Sequence, residues 1–252
     1  FISKKDDGKQ EFSSKSLFSY IKYNQNDLQK SLNLLYEVND KLFTDFLDSE
    51  DNLIDLDSVQ EIIKSIMYLI NQHPNYLRDT IIHFSDIHTL AKHSLHVSIY
   101  SIFMGSLLHL EKEKLIQIGI AGLLHDLGIK HINESIKDKE SKLTLEELEA
   151  MQQHPKYSCE IVQKNHLHDP HIIDAIMHHH ECYDGTGYPE HLLSRKISDF
   201  ASILSICDVF DALTNKRPYR DKYTTFEALK IMMQDASTVN KFNQKYLNKF
   251  LH

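Results

Sequence analysis

Turn-formers are in short supply in this chain: seven glycines and five prolines among 252 residues. So few breaks, between long stretches of Leu, Ile, Lys and Glu, argue against a turn-rich β architecture and for an all-α protein. Cysteine is scarce as well. Cys159, Cys182 and Cys207 are odd in number, widely spaced and form no C-x-x-C pair, which fits reduced thiols in a cytoplasmic protein. A basic excess is missing: the net charge is −8, which argues against a general nucleic-acid binder. No apolar run reaches the roughly 20 residues of a membrane helix, because residues 94–110 are interrupted by His96, Ser98, Ser101, Ser106 and His109. No signal peptide is visible. The chain begins at Phe1 rather than Met and reads as a fragment or a processed form.

Histidine, in contrast, is over-used, at 17 residues. Apolar periodicity predicts helices over about 13–47, 57–72, 77–83, 87–110, 112–127, 144–164, 170–181, 198–213, 225–234 and 243–251. Ile21, Leu28, Leu35 and Leu42 recur every seven residues, the spacing of a short coiled-coil seam or of amphipathic helices that pack on their own domain. A boundary near residues 75–79 divides an N-terminal helical segment (1–76), sensory or dimerising, from a second domain (77–252). Residues 184–198 form one long irregular connection, and such loops are often functional.

The densest chemistry lies at 178–189, His-His-His-Glu-Cys-Tyr-Asp-Gly-Thr-Gly-Tyr-Pro. Neighbouring imidazoles beside a carboxylate suit a transition metal. On the helix from Pro170, the inner face is Ile172, Ile173, Ile176 and Met177. His179 and His180 extend that face, whereas His178 falls on the polar side with Asp174. His125-Asp126 closes a second apolar run, just before Gly128, which should stop the helix. Asp208 is flanked by Ile203, Leu204, Ile206, Cys207, Val209 and Phe210, and a buried carboxylate needs a cation or a hydrogen-bond network. Asp211, one turn later, reads either as a further ligand or, in preference, as a structural acid paired with an arginine. His93 and His154 are weak candidates taken singly.

Five motifs in order, His93-Ser94, LLHDLG, LTLEELEAMQQHP, HHECYDGTGYP and CDVFDALTNKRPYR, make the second domain resemble the HD-GYP family, the branch of the HD hydrolases that cleaves cyclic-di-GMP. The resemblance implies an HD-superfamily helical bundle and metal ligands at His93, His125, Asp126, His154, His179, His180 and Asp208. Asp126 would bridge the metals and take part in catalysis. Glu181, also assigned to the catalytic set, would orient a histidine. The metals would be iron, with manganese as the alternative. They would number two, because Thr89 stands where the three-metal form has a glutamate. Arg217 and Arg220 match the family's phosphate-binding pair, and Gly187-Tyr188-Pro189 its substrate-cleft loop.

Two positions depart from the family. Ile129 replaces a phosphate-binding lysine, and Lys130 lies one residue, about 100° of helix, away. Ser202 replaces an arginine that precedes the last metal aspartate. The implied activity is hydrolysis of cyclic-di-GMP to pGpG or GMP. Alternatives are another cyclic dinucleotide, or a low-activity receptor or partner-binding module. Implied partners are a diguanylate cyclase (GGDEF) domain and a second copy through the N-terminal helices, with no nucleic acid and no membrane.

Overall fold

The computed structural model describes residues 3–4, 10–11, 16–73, 89–137, 139, 141–215, 222–238 and 241–251. Among them, β1 (Ser3–Lys4) and β2 (Gln10–Glu11) form a two-residue antiparallel pairing. All other extended regular structure is helical, in agreement with the all-α reading. The chain divides into two compact units, Phe1–Thr80 and Ile81–His252. No described helix is long and apolar enough to cross a membrane.

The first unit holds α1 (Leu17–Tyr23), α2 (Leu28–Asp48) and α3 (Leu56–Gln72). The Asp27 and Asp55 side chains accept from Lys30 N and Asp57 N, capping α2 and α3. The seven-residue repeat crosses the turn between α1 and α2, so it is not one seam. Ile21, Leu32, Leu35, Leu42 and Phe46 are buried together with Ile62, Ile66 and Leu69 of α3. The predicted helix 77–83 and the boundary near 75–79 lie outside the described residues.

In the second unit, α4 (Leu90–Leu107) has no one-sided stripe and is buried almost continuously from Ala91 to Ile102, as befits a helix enclosed on all sides. Thr89 caps it by accepting from Lys92 N. Helix α5 (Lys112–Leu124) packs on α4 at very short range. Gly122 permits this, since a Cβ there would lie 2.8 Å from Ser98 Cα. A 3-10 turn, Leu127–His131, leads to α6 (Glu134–Lys137), α7 (Leu145–Met151), α8 (His154–Lys164) and α9 (Pro170–His178). After a second 3-10 turn, Ser194–Lys196, come α10 (Asp199–Thr214), α11 (Thr225–Thr238) and α12 (Gln244–Leu251). Helix α10 packs on α4 and α9, and α9 packs on α5 and α8.

Several boundaries differ from the sequence reading, among them two that shape the site. The span 144–164 is two helices, because Pro155 belongs in the first turn of α8, where its missing N–H costs nothing. His154 therefore heads a helix. The other helix, 112–127, ends at Leu124. Gly128 does not stop it through a left-handed conformation, since Gly185 is the positive-φ glycine of the described residues. Gly128 is instead a point of close approach: a Cβ there would run into the His154 carbonyl oxygen and lie 2.6 Å from Ser158 N.

Candidate metal centre

Helix ends supply most of the site. His125 and Asp126 follow α5, His154 opens α8, and His179 and His180 follow α9. At a helix C-terminus the last carbonyls have no helical partner, and three of these rings use one. His125 Nδ1–H donates to Gly122 O at 2.9 Å, His154 Nδ1–H to Met151 O at 2.8 Å and His179 Nδ1–H to Ile176 O at 2.7 Å. In each case the acceptor is three residues earlier. A proton held on Nδ1 leaves Nε2 as a free donor atom, the arrangement of a metal-binding imidazole.

The ring nitrogens on the inner side converge on two aspartates. Asp126 Oδ1 lies 3.2 Å from His154 Nε2 and 3.7 Å from His179 Nε2. Its other oxygen, Oδ2, lies 3.6 Å from His93 Nε2 and 3.5 Å from His125 Nε2. Asp208 is divided in the same way, with Oδ1 3.2 Å from His93 Nε2 and Oδ2 3.8 Å from His180 Nδ1. The ligand-type atoms thus sort into two adjoining groups, Asp126/His154/His179/His180 and His93/His125/Asp208. His125 Nε2, His179 Nε2 and Asp126 Oδ1 are buried without a well-aligned hydrogen bond. Orphaned donors of this kind are costly unless something fills them, and the imidazole and carboxylate set suits a borderline divalent metal.

The electrostatics agree. Burial works against ionised Asp126, yet His125, His154 and His179 outweigh it and hold the carboxyl well below its ordinary range. Burial likewise loses at Asp208, to His93 and His180, so that carboxyl too is held low. Burial pushes His125 down to about 4 and, helped by His179, pushes His180 well below its usual value. At His93, burial is outweighed by hydrogen bonds to Asp208 and Asp211, which raise it to about 10.

All seven sequence-predicted ligands come together here. Asp211 is different from its expected role: it pairs with histidines, accepting from His93 Nδ1–H at 2.7 Å and His96 Nδ1–H at 2.9 Å. Nor does Glu181 orient a histidine. Its buried carboxylate accepts from Glu190 N at 2.7 Å and Leu192 N at 2.8 Å, which fastens the following loop. His178 turns away, as its position on the helix predicts, and donates to Asp174 Oδ1 at 2.9 Å. In the loop, Gly187 is buried against the backbone of residues 180–182. Tyr188 stacks on His180 with ring centroids 4.7 Å apart, and Pro189 is half-buried. Ile129 and Lys130 are half-buried on the 3-10 turn directly after Asp126. Arg217 and Arg220 lie outside the described residues. Sequence reasoning missed His96. A signal existed: His93/His96 and Asp208/Asp211 are both spaced by three, the spacing that puts two side chains on one helix face.

A family model described as HD domain matches residues 67–243. The chain is 32% identical over 182 residues to a cyclic di-GMP phosphodiesterase of Pseudomonas aeruginosa, covering 72% of this chain and 44% of that protein. It is 36% identical over 150 residues to a 3'3'-cGAMP-specific phosphodiesterase of Vibrio cholerae, covering 59% and 32%. The chain thus spans less than half the length of either relative. Among solved structures it is similar to an HDG"Y"P protein from Bdellovibrio bacteriovorus, with a TM-score of 0.69 at 18% identity, over 98% of this chain and 83% of that one.

Proposed function

The chain belongs to the HD domain family, and on that footing we propose that it is a metal-dependent phosphodiesterase that hydrolyses cyclic di-GMP to pGpG, GMP or both. The observation that carries this reading is the division of Asp126, one oxygen toward His154 and His179 and the other toward His93 and His125. A carboxylate with that geometry suits a bridge between two ions. We propose two, iron first and manganese as the alternative, since exposed Thr89 caps α4 and offers no carboxylate.

Bound there, a metal pair supplies Lewis acidity toward a phosphoryl oxygen and lowers the pKa of water toward neutrality. The chain's residues do the rest. His93, His125 and Asp208 would hold one ion, and His154, His179 and His180 the other, with Asp126 between them. Glu181 fastens the loop that lays Tyr188 over His180, which walls one side of the centre. Arg217 and Arg220 would grip the substrate's phosphates with their planar guanidinium forks, so replacing either by alanine should slow turnover and leave metal content unchanged.

A second reading keeps the reaction and changes the base, because relatives named 3'3'-cGAMP-specific match this chain at 36% identity. Contact of the 187–189 loop with a diguanylate cyclase domain, and pairing of two chains through the N-terminal helices, are proposals of the same standing. One experiment tests the main reading: purified protein, loaded with iron or manganese, is given cyclic di-GMP and 3'3'-cGAMP in parallel, and the products are resolved by chromatography. Cleavage of cyclic di-GMP, stopped by a chelator, is expected. Faster cleavage of 3'3'-cGAMP would move the assignment to the second reading, and a metal-loaded protein that binds either nucleotide but leaves it intact would make this a receptor.

A further inference from the structure

His93 is held differently from three of the other ligand histidines. His125, His154 and His179 borrow a carbonyl three residues back. His93 cannot, because it sits inside the first turns of α4, where the carbonyls behind it serve the helix itself. Its Nδ1–H goes to Asp211 Oδ2 at 2.7 Å instead, across to α10. The second oxygen of Asp211 is occupied as well, by His96 Nδ1–H at 2.9 Å. His96 lies one turn beyond His93, Asp211 lies one turn beyond Asp208, and Asp211 is fully buried.

We propose that Asp211 is a positioning residue that makes His93 a metal ligand, and that His96 keeps Asp211 in that role. This rests on the reading of the cluster as a metal centre. Two consequences follow from the hydrogen bonds. A carboxylate acceptor fixes the proton on Nδ1, leaves Nε2 facing Asp208 and Asp126, and makes the ring a stronger donor than a carbonyl-bound imidazole. Asp211 is also a carboxylate one turn from a ligand and could itself swing toward a cation. With both oxygens engaged by histidines, it is held back as an acceptor. The two groups of the centre are therefore unequal: in the His93/His125/Asp208 group one ring depends on a side chain that can be substituted, whereas His154 and His179 of the other group are oriented by backbone carbonyls.

Manganese(II) titration of the whole chain after chelator stripping tests this, with bound metal counted after equilibrium dialysis. Wild type should bind two ions. Asp211→Asn should keep one tight ion and bind the other 10- to 100-fold more weakly, with Asp211→Glu recovering part of the loss. His96→Gln should give a smaller weakening at the same ion. In the zinc-loaded wild type, the His93 Nδ1 proton should resonate downfield of those of His125, His154 and His179, because its acceptor is charged. That spectrum decides the matter even where Asp211→Asn fails to fold. Equal weakening of both ions, or a His93 proton no different from the other three, would overturn the inference and leave Asp211 a packing residue. Wild-type protein that binds no metal would instead overturn the metal-centre reading itself.

Discussion

His154 Nε2 and His180 Nε2 lie 3.1 Å apart inside the second unit. His154 already donates its Nδ1 proton to Met151, so in its neutral form it turns a lone pair toward His180. A cation held by both rings would take up that lone pair together with one from His180, and zinc–imidazole distances of about 2.1 Å leave room for such an arrangement. Removing the carboxylate beside them is the direct check. Asp126→Ala should lose both ions, because one side chain serves each group. Elemental analysis should find about two transition-metal ions per wild-type chain and none in the variant; retention of one full equivalent would mean that Asp126 does not bridge.

Metal affinity should depend on pH with a definite sign. His93 is raised to about 10, with burial overcome by Asp208 and Asp211, and His154 is raised with burial overcome by Asp126. In the metal-free protein such groups contribute stability that is complete below about 6.5 and fades as pH rises through the folded value. Metal requires the neutral rings, so affinity should climb over the same range, by up to about tenfold per unit for each proton displaced. His125, already pushed down to about 4, adds nothing to the slope above pH 6. Thermal melts of stripped protein and manganese titrations between pH 6 and 9 should run in opposite directions.

Gly128→Ala should be among the most damaging small substitutions. The added Cβ meets backbone, at the His154 carbonyl and at Ser158 N, where no side chain can move aside. It would also disturb the bond from Gly128 N to Ser158 Oγ, 2.8 Å long. A destabilisation of about 3 kcal/mol is expected, with the His154 group losing its ion first. Denaturant melts read the first effect and metal counting the second; a wild-type melt would show that the turn has room to retreat.

Glu181→Gln keeps the shape and removes the charge that holds two amides. Hydrogen bonds to a charged acceptor contribute about 1.5–3 kcal/mol each, so the amides of Glu190 and Leu192 should exchange with solvent at least tenfold faster. Exchange within α9 should not change. If the two amides kept their protection, the loop would be held by something other than this carboxylate.

Ile129→Lys should raise the affinity or rate for cyclic di-GMP by at most about two decades, the value of one charge-assisted hydrogen bond. Ile129 is half-buried on the 3-10 turn, so a lysine can reach solvent from there. Kinetics of the two proteins side by side decide it. An unchanged rate would mean that the exchanged residue does not face the phosphate.

Much of this was legible in the chain itself. His179 and His180 were separated from His178 by helical periodicity alone, and the structure keeps that division. Asp208 was marked by its apolar flanks. The partners were less legible, because they depend on which helices lie opposite. Asp211 meets His93 and His96 across 118 and 115 residues of sequence, and only the shared spacing of three hints at it. Glu181 was misread for a related reason. It sits beside two ligands, but the loop folds its own amides back onto the carboxylate. The break ahead of His154 was available in principle, since Pro155 cannot sit inside a helix.

The burial of Asp126, Asp208 and Asp211 together, all held below the usual carboxylate range, sets an order of arrival. A cyclic dinucleotide carries two phosphate charges and would meet a negative interior in the stripped protein. Divalent ions are drawn in by the same field and, once seated, reverse it. On the proposed reading, metal would therefore enter first and the nucleotide second, so the supply of metal would gate substrate recognition as well as the chemical step.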